Sequence, residues 1–461
     1  MQEEKKVINE LVTTLKDRDT ERFLSLAEGL HYADLAEVFE GLSEDERNFF
    51  TETMGAEKFA EVITDLPDTL VEGALGQFSS DDQREILDQV SDDDRVDLLQ
   101  DVSEESRDRL LELVEPDDIE VTKSLLRYGE DTAGGRMTTS FGKVRLGLTV
   151  KEALDELREA HADSETLARV YVTDEKDRLI GRLRIRDLAF NKWDSPVSEI
   201  YRPCKHTILA SADQEDAAQM FSKYDLIVLP VIDEQDRLLG IITYDDALEI
   251  IEEESTEDIE RMAGMAGEVS EDSYLNTTLS THFKRRFPWL LGLAFLAIAS
   301  GYVMLKFEHV LDELFILALF LPMVVAAGGN TGGQASTMVI RAMALGELDS
   351  GETSRVAWKE LRLGLILGSL LGVCIALTTI FVLPLFYSEM PVEIGFVRFG
   401  IAVAIAITAQ ITTSTLVGSL LPIGARRVNI DPAVVAAPAI TTIVDVSGMV
   451  IYFLVAKLVL L

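Results

Sequence analysis

The 461-residue chain carries 80 acidic and 42 basic residues, a formal net charge of -38. That balance argues against nucleic acid or anionic lipid as partners and favours cations, although a generally acidic, salt-adapted proteome would push composition the same way. Two cysteines, Cys204 and Cys374, make no disulfide framework, and five scattered histidines make no Cys/His metal cluster.

The charge is unevenly spread. Of the acids 69, and of the bases 33, precede residue 287, so a strongly acidic polar region leads into a nearly neutral apolar one. This is the layout of a membrane protein with a large N-terminal soluble module. The opening "MQEEKKVINE" lacks the apolar core of a secretory signal, so the first long apolar segment is expected to direct insertion.

Residues 1–130 are read as an acidic superhelix of short helices. "SSDDQREILDQV", "SDDDRVDLLQDV" and "SEESRDRLLELV" begin at residues 79, 91 and 103, a period of twelve, and "LSEDERNFF" at 42–50 opens alike. A serine N-cap followed by carboxylates satisfies orphan N–H groups and suits the positive end of the helix dipole. Capping therefore accounts for many of the acids here.

Residues 131–251 hold an internal repeat, about 137–198 and 199–251. "VYVTDEKDRLIGRLRIRDLAF" at 170–190 matches "LPVIDEQDRLLGIITYDDALE" at 229–249, an offset of 59. Each copy predicts a β-hairpin with an acidic turn and a following helix, preceded by an amphipathic helix ("LTVKEALDELREAH", "ASADQEDAAQMFSKYD"). The unit resembles a tandem CBS pair, whose copies end in Gly-apolar-apolar-Thr/Ser-x-x-Asp. Gly240, Thr243 and Asp246 fit; the first copy keeps Asp187 but has Arg184 at the Thr/Ser position. That resemblance implies either a dimerising scaffold or an adenine-nucleotide site in which the Asp takes ribose hydroxyls.

Next comes an acidic connecting segment, 252–283, whose predicted helix is "DDALEIIEEESTEDIERMAGMAG" at 245–267. Glu249, Glu252, Glu253, Glu254, Glu257 and Asp258 crowd it. Like charges at i,i+4 weaken a helix, so this link gains if cations relieve the repulsion.

Five spans are predicted, approximately 287–305, 314–340, 361–386, 396–421 and 432–456, within a pore domain of 284–461. Lys284, Arg285 and Arg286 flank the first; Arg341, Arg355, Lys359 and Arg362 lie between the second and third; Arg426 and Arg427 precede the fifth. This asymmetry predicts a cytoplasmic N-terminus and an extracytoplasmic C-terminus, in the cell (inner or plasma) membrane.

The second span, "LPMVVAAGGNTGGQAST", places Asn330 and Gln334 among glycines at membrane depth, which suits either a close helix crossing or a polar pathway. The fifth carries Asp445. A carboxylate there costs about 2.5–3.5 kcal/mol on insertion scales. On its own helix the nearest base, Lys457, is about 18 Å away at 1.5 Å per residue. An inward-folded Arg341 or Arg362, or permanent protonation, would offset that cost; a mobile cation does so best. Pro438 cannot donate to the carbonyl of Val434, which leaves an acceptor free on the same helix.

Taken together, "EEESTEDI" (252–259), "LPMVVAAGGNTGGQAST" (321–337) and "DPAVVAAPAITTIVDVSGMVIY" (431–452) resemble the MgtE family of magnesium channels and transporters over essentially the whole chain. The resemblance implies an all-α superhelical N domain, an α/β CBS pair and a five-helix membrane domain, assembled as a homodimer in the bilayer. It implies Mg²⁺ uptake past Asp445, with Val434 and Ala437 contributing backbone oxygens (Ala437 standing where some members have Asn). It further implies closure by cytoplasmic Mg²⁺ held between the N domain, the CBS pair and the connecting "plug" helix. By position the regulatory ligands match Asp225, Asp246, Glu249, Glu254, Glu257 and Asp258, with Asp92, Asp93 or Asp94 from the N domain. A regulatory ATP would meet Arg186, Asp187, Thr243 and Asp246. Other readings are a carrier of Co²⁺, Mn²⁺ or Ni²⁺, a CBS-regulated carrier of another solute, and a membrane-anchored nucleotide sensor. No Walker motif or nucleophile–base constellation points to an enzyme.

Overall fold

The structure, a computed structural model, describes residues 2–116, 118–160, 166–267, 274, 277–348, 350–387, 390–391, 394–428 and 430–461. The chain forms two compact units, one reaching Glu252 and the other beginning at Glu253.

In the first unit ten short helices come first among the described residues: α1 (Gln2–Asp17), α2 (Thr20–Ala27), α3 (Tyr32–Glu40), α4 (Glu44–Met54), α5 (Ala56–Ile63), α6 (Asp68–Leu75), α7 (Ser80–Gln89), α8 (Asp92–Gln100), α9 (Glu104–Leu111) and α10 (Ile119–Leu125). The twelve-residue period is the helix-to-helix repeat. Ser79 and Ser91 cap α7 and α8 by accepting from Asp82 N and Asp94 N. Ser103 departs from this pattern, because its N–H and hydroxyl both donate to Glu72 of α6.

A second regularity lies four residues past each serine. Arg47 Nε donates to Phe39 O (3.1 Å), Gln83 Nε2 to Leu75 O (2.7 Å), Arg95 Nε to Leu87 O (2.7 Å) and Arg107 Nε to Leu99 O (2.7 Å). Each side chain thus donates to a carbonyl in the last turn of the preceding helix, where intrahelical donors run out; Phe39 O and Leu75 O also accept a backbone N–H. Phe23, Phe39, Phe50 and Phe59, all fully buried, meet edge-to-face at the centre of the early helices.

The repeat forms two sheets. One is ordered β1 (Phe141–Arg145), β2 (Thr166–Thr173), β3 (Leu179–Leu183), β4 (Arg202–Pro203); the other is β5 (Ile208–Leu209), β6 (Val228–Ile232), β7 (Leu238–Thr243). Helix α11 (Val150–Ala160) follows β1, α12 (Ile185–Ala189) and α13 (Val197–Ile200) follow β3, and α14 (Gln214–Tyr224) follows β5. Both hairpins turn on an aspartate: Asp174 accepts from Lys176 N and Arg178 N, Asp233 from Gln235 N and Arg237 N. The two turns then pair with each other, Leu179 N with Asp236 O (2.9 Å) and Leu238 N with Asp177 O (3.0 Å). Val96 of α8 and Leu125 of α10 enter the core of the second sheet, which ties the helical region to that copy.

The connecting helix begins as predicted and ends about five residues early. It is the continuation of the helix after β7, α15 (Tyr244–Met262), so the second copy runs into it without a break. It stops at Met262 rather than 267. Gly264 adopts φ 75°, and Met265 N bonds back to Glu260 O (2.9 Å), a left-handed C-terminal cap.

The second unit holds α16 (Leu279–Lys306), α17 (Glu308–Glu313), α18 (Leu317–Ala344), α19 (Thr353–Phe381), α20 (Gly395–Arg427) and α21 (Pro432–Val459). Five of these have 28–33 residues. Among the described residues four, α16, α19, α20 and the Ile440–Val459 part of α21, are long and apolar enough to cross a membrane. Helix α18 is long enough but not apolar enough, because Asn330, Thr331 and Gln334 stand among its glycines. Glycines set the packing. Gly364, Gly368 and Gly372 let α19 lie on the Thr408–Thr415 face of α20, and Gly332 of α18 meets Gly418 of α20.

Arg95 is almost fully buried and holds Leu87 O, Val90 O and Asp92. Arg95→Met should lower the stability of the soluble region by about 3 kcal/mol, since it leaves buried acceptors unpaired. Arg22→Met, at the exposed Arg22–Glu10 pair, should change little; thermal unfolding of the two variants side by side checks both.

Candidate functional site

Two sets of acids matter, one in each unit. In the membrane unit, Ile440, Val444, Gly448 and Tyr452 form the buried stripe of α21 that faces α18 and α20. Tyr452 anchors it by donating to Leu317 O (2.9 Å), and Gln410 Nε2 of α20 donates to Val444 O (2.9 Å). Asp445, half-buried, stands at the edge of that stripe. Among the described residues its carboxylate has no ion pair or hydrogen bond. Arg341 and Arg362 are not drawn to it, and Arg362 instead bonds Trp358 O and covers the Trp358 ring.

Asn330 and Gln334 are exposed on α18, opposite Gly328, Gly332 and Ser336, and no hydrogen bond joins them to Asp445 among the described residues. Val434 is exposed on α21. The side chains of Ala437 and Pro438 lie outside the described residues.

The end of α15 belongs to this same unit. Arg261 forms ion pairs with Glu257 and with Asp431, whose other oxygen caps α21 by accepting from Ala433 N (2.7 Å). Glu260 pairs with Arg285 of α16, and Ala266 N bonds Arg285 O. Met262 packs against Ile340, Ile440 and Val444, one residue from Asp445. Burial, then the charge of Asp431, pushes the Asp258 carboxyl above its ordinary range. Glu254 is part-buried on this helix. Sequence reasoning missed Arg261, Arg285 and Asp431. A basic residue four places after Glu257 was the available signal, but its link to Asp431 spans 170 residues.

In the soluble unit, the three aspartates at the start of α8 take different roles. Asp92 is held by Arg95 (3.1 Å) and Thr139. Asp93 is buried against the Ser91 hydroxyl. Asp94 instead lines a cavity of about 100 Å³ with Asp65, Asp97, Asp101 and Glu249. The spacing of Asp94, Asp97 and Asp101 puts them on one helix face, a pattern readable in advance.

Burial dominates their electrostatics. It pushes Asp101 up to about 7, helped by Asp68 and Glu130. It also raises Asp94, against the Ser91 bond and with help from Asp245, and Asp246, with help from Asp245 and Asp94. Asp225, by contrast, is exposed at the left-handed C-cap of α14 (φ 49°), away from the lining of that cavity. Within the soluble unit, Asp225 is therefore not clustered with the other expected regulatory ligands. Asp94 and Glu249 share the cavity, Asp246 neighbours Asp94, and Glu257 and Asp258 belong to the membrane unit. Among the described residues no three acids, histidines or cysteines are disposed to hold a bare metal ion.

The expected nucleotide residues double as caps. Thr243 N and its hydroxyl bond Asp246 (2.9 and 2.6 Å). In the first copy Arg184 does the same work, its backbone N and guanidinium engaging both oxygens of Asp187 and holding that carboxyl below its ordinary range. Arg186 is exposed beside it.

A family described as a divalent cation transporter, MgtE, matches residues 321–455; the MgtE intracellular N domain matches 30–131, and CBS domains match 133–192 and 197–253. A magnesium transporter MgtE from Thermus thermophilus is 36% identical over 349 residues, covering 76% of this chain and 74% of that protein. One from Bacillus subtilis is 28% identical over 459 residues, 97% and 96% of the two chains. Among solved structures, the cytosolic domain of the Mg²⁺ channel MgtE in complex with ATP is 37% identical, with a TM-score of 0.50, over 53% of this chain and 99% of that one.

Carboxyls raised by burial favour the protonated folded state, so metal-free stability should fall as pH rises from about 4 through about 7, the window between ordinary and shifted Asp101. In chelator, thermal unfolding of the full chain should therefore shift upward on acidification from pH 8 to pH 6. Added Mg²⁺ should stabilise more at pH 8 than at pH 6, where protons already occupy these groups.

Proposed function

Because the chain belongs to the MgtE family of divalent-cation transporters, we propose that it conducts Mg²⁺ through a multi-pass membrane domain, past Asp445. The observation that carries this reading is the half-buried Asp445 carboxylate, without a basic partner among the described residues. An anion or organic-solute carrier would want basic groups at that depth, and none stands there in α21.

Mg²⁺ takes oxygen ligands in octahedral geometry and gives up its waters reluctantly. A carboxylate that keeps its lone pairs free can accept hydrogen bonds from the hydrated ion without stripping it. In a homodimer, two Asp445 residues would face one path and double the field acting on the ion. The same chemistry admits Co²⁺, Mn²⁺ or Ni²⁺ as secondary substrates, with the stiffness of the water shell favouring Mg²⁺. Arginines at the ends of α18, α19 and α20 support a cytoplasmic N-terminus and soluble unit, by the positive-inside tendency.

Gating rests on repulsion. Two unit charges 6 Å apart in water repel by about 0.7 kcal/mol, less with salt. Several such pairs, in the Asp94–Asp101–Glu249 cavity and along α15, sum to a few kcal/mol, enough to shift a two-state equilibrium. Cytoplasmic Mg²⁺ reverses that term and favours the closed state, with Met262 of the plug packed over Val444. ATP would bias the same equilibrium from the CBS pair, through Arg186 and Asp187 in the first copy and Thr243 and Asp246 in the second. Asp187 would first have to exchange its Arg184 partner for ribose hydroxyls. None of these residues is assigned to catalysis; the protein is read as a transporter and not as an enzyme.

Asp445→Asn, which keeps the shape and removes the charge, should reduce Mg²⁺ flux into proteoliposomes by at least about tenfold, the lower end of electrostatic focusing in a narrow path. Wild-type flux in that variant would remove Asp445 from the pathway. Glu257→Gln with Asp258→Asn should leave flux intact at low cytoplasmic Mg²⁺ and raise the Mg²⁺ concentration that closes the channel, read as patch current against cytoplasmic Mg²⁺.

A further inference from the structure

Gln410 lies in the middle of α20 with no exposed surface at all, at the depth where an apolar side chain would be expected. Its amide nitrogen donates to Val444 O of α21 (2.9 Å), while its amide oxygen is buried without a partner among the described residues. The hydroxyl of Ser414, one turn further along α20 and also fully buried, is unpartnered as well. A half-satisfied buried amide costs about 1–3 kcal/mol relative to an apolar side chain of the same shape. Stability alone does not explain its presence.

The surroundings are built around it. A Cβ on Gly448 of α21 would sit 2.6 Å from the amide nitrogen, and one on Gly328 of α18 would collide with the same atom. Glycine on both neighbouring helices therefore leaves the slot that the amide fills. The acceptor is informative too. Val444 O lies within a continuous helix, with the N–H of residue 448 as its helical donor and the Ser447 hydroxyl of the same helix also donating to it (3.1 Å), so the Gln410 bond is an additional one from another helix. It draws one particular carbonyl toward α20, and that carbonyl belongs to the residue before Asp445.

We propose that Gln410 is a positioning residue for ion passage, setting the rotation and height of α21 at Asp445. With Val444 tied to α20, the next side chain projects about 100° further round the helix, which turns Asp445 out of the packed stripe toward its edge. The stripe has a second directional bond only at Tyr452, two turns further along α21, and apolar packing supplies little lateral drive in lipid. A directional bond at this level therefore fixes where the carboxylate meets the hydrated cation. The inference rests on the reading of Asp445 as the pathway residue.

The test uses the full-length protein in liposomes, with Mg²⁺ and Ca²⁺ entry followed by fluorescent indicators. Gln410→Met keeps the volume and removes the hydrogen bond; Gly448→Ala keeps the amide and displaces it. Both should raise the Mg²⁺ concentration for half-maximal flux about fivefold and lower Mg²⁺-over-Ca²⁺ discrimination to a similar degree, the worth of one hydrogen bond. Maximal flux per monodisperse protein should stay within about twofold of wild type, a split that a general loss of folded protein would not produce. If either folded variant keeps wild-type half-saturation and discrimination while Asp445→Asn has lost flux, the positioning role is overturned and the pathway reading stands. If Asp445→Asn conducts like wild type, both fall together.

Discussion

An acidic side chain at membrane depth with no base to meet it constrains the second unit more than any other feature. The aspartate at the start of the same helix, Asp431, shows the ordinary solution: it caps α21 and pairs with Arg261. Asp445 has no such partner among the described residues, so its cost of about 2.5–3.5 kcal/mol must be met by solvent, a proton or a passing cation. The helices around it are adapted to that need. Gly328, Gly332, Gly418 and Gly448 let α18, α20 and α21 approach closely, and the side chains admitted between them include the amide of Gln410 and the hydroxyl of Ser414. In lipid, where apolar burial supplies little force between helices, such contacts decide how a helix is turned.

The soluble unit sorts its acids by what they touch. Those at helix starts and in the hairpin turns are consumed locally: Asp82 and Glu46 in capping boxes, Asp174 and Asp233 in tight turns, Asp187 with Arg184. Others collect where α8 meets the second CBS copy, and there the local bonds that Ser91 makes to Asp94 and Thr243 to Asp246 do not outweigh the cost of burial. There burial and mutual repulsion push Asp94, Asp101 and Asp246 toward the protonated form. A site of this kind responds to protons, because protonation relieves the unfavourable charge.

Much of the architecture was legible in short-range pattern. The twelve-residue spacing of serines located α7, α8 and α9, the hairpins offset by 59 residues located the two sheets, and apolar length located four of the five long membrane-unit helices by composition as well as by extent. The second departs from the apolar pattern because its polar centre is turned to an exposed face while its glycines face the core. The end of the connecting helix was less legible, since its acidic sequence continues toward a boundary that only the positive φ of Gly264 marks.

Composition and local periodicity were sufficient for what depends on neighbours along the chain: helix starts, turn residues, span lengths, and the isolation of Asp445 from bases on its own helix. The three-dimensional structure alone decided which acids share a cavity, that Arg261 reaches Asp431 across 170 residues, that Arg184 closes over Asp187, and that Gln410 bonds the carbonyl beside Asp445. The physical reason is that hydrogen bonds, ion pairs and desolvation act over a few ångströms in space. One-dimensional spacing carries that information only within a single helix or hairpin.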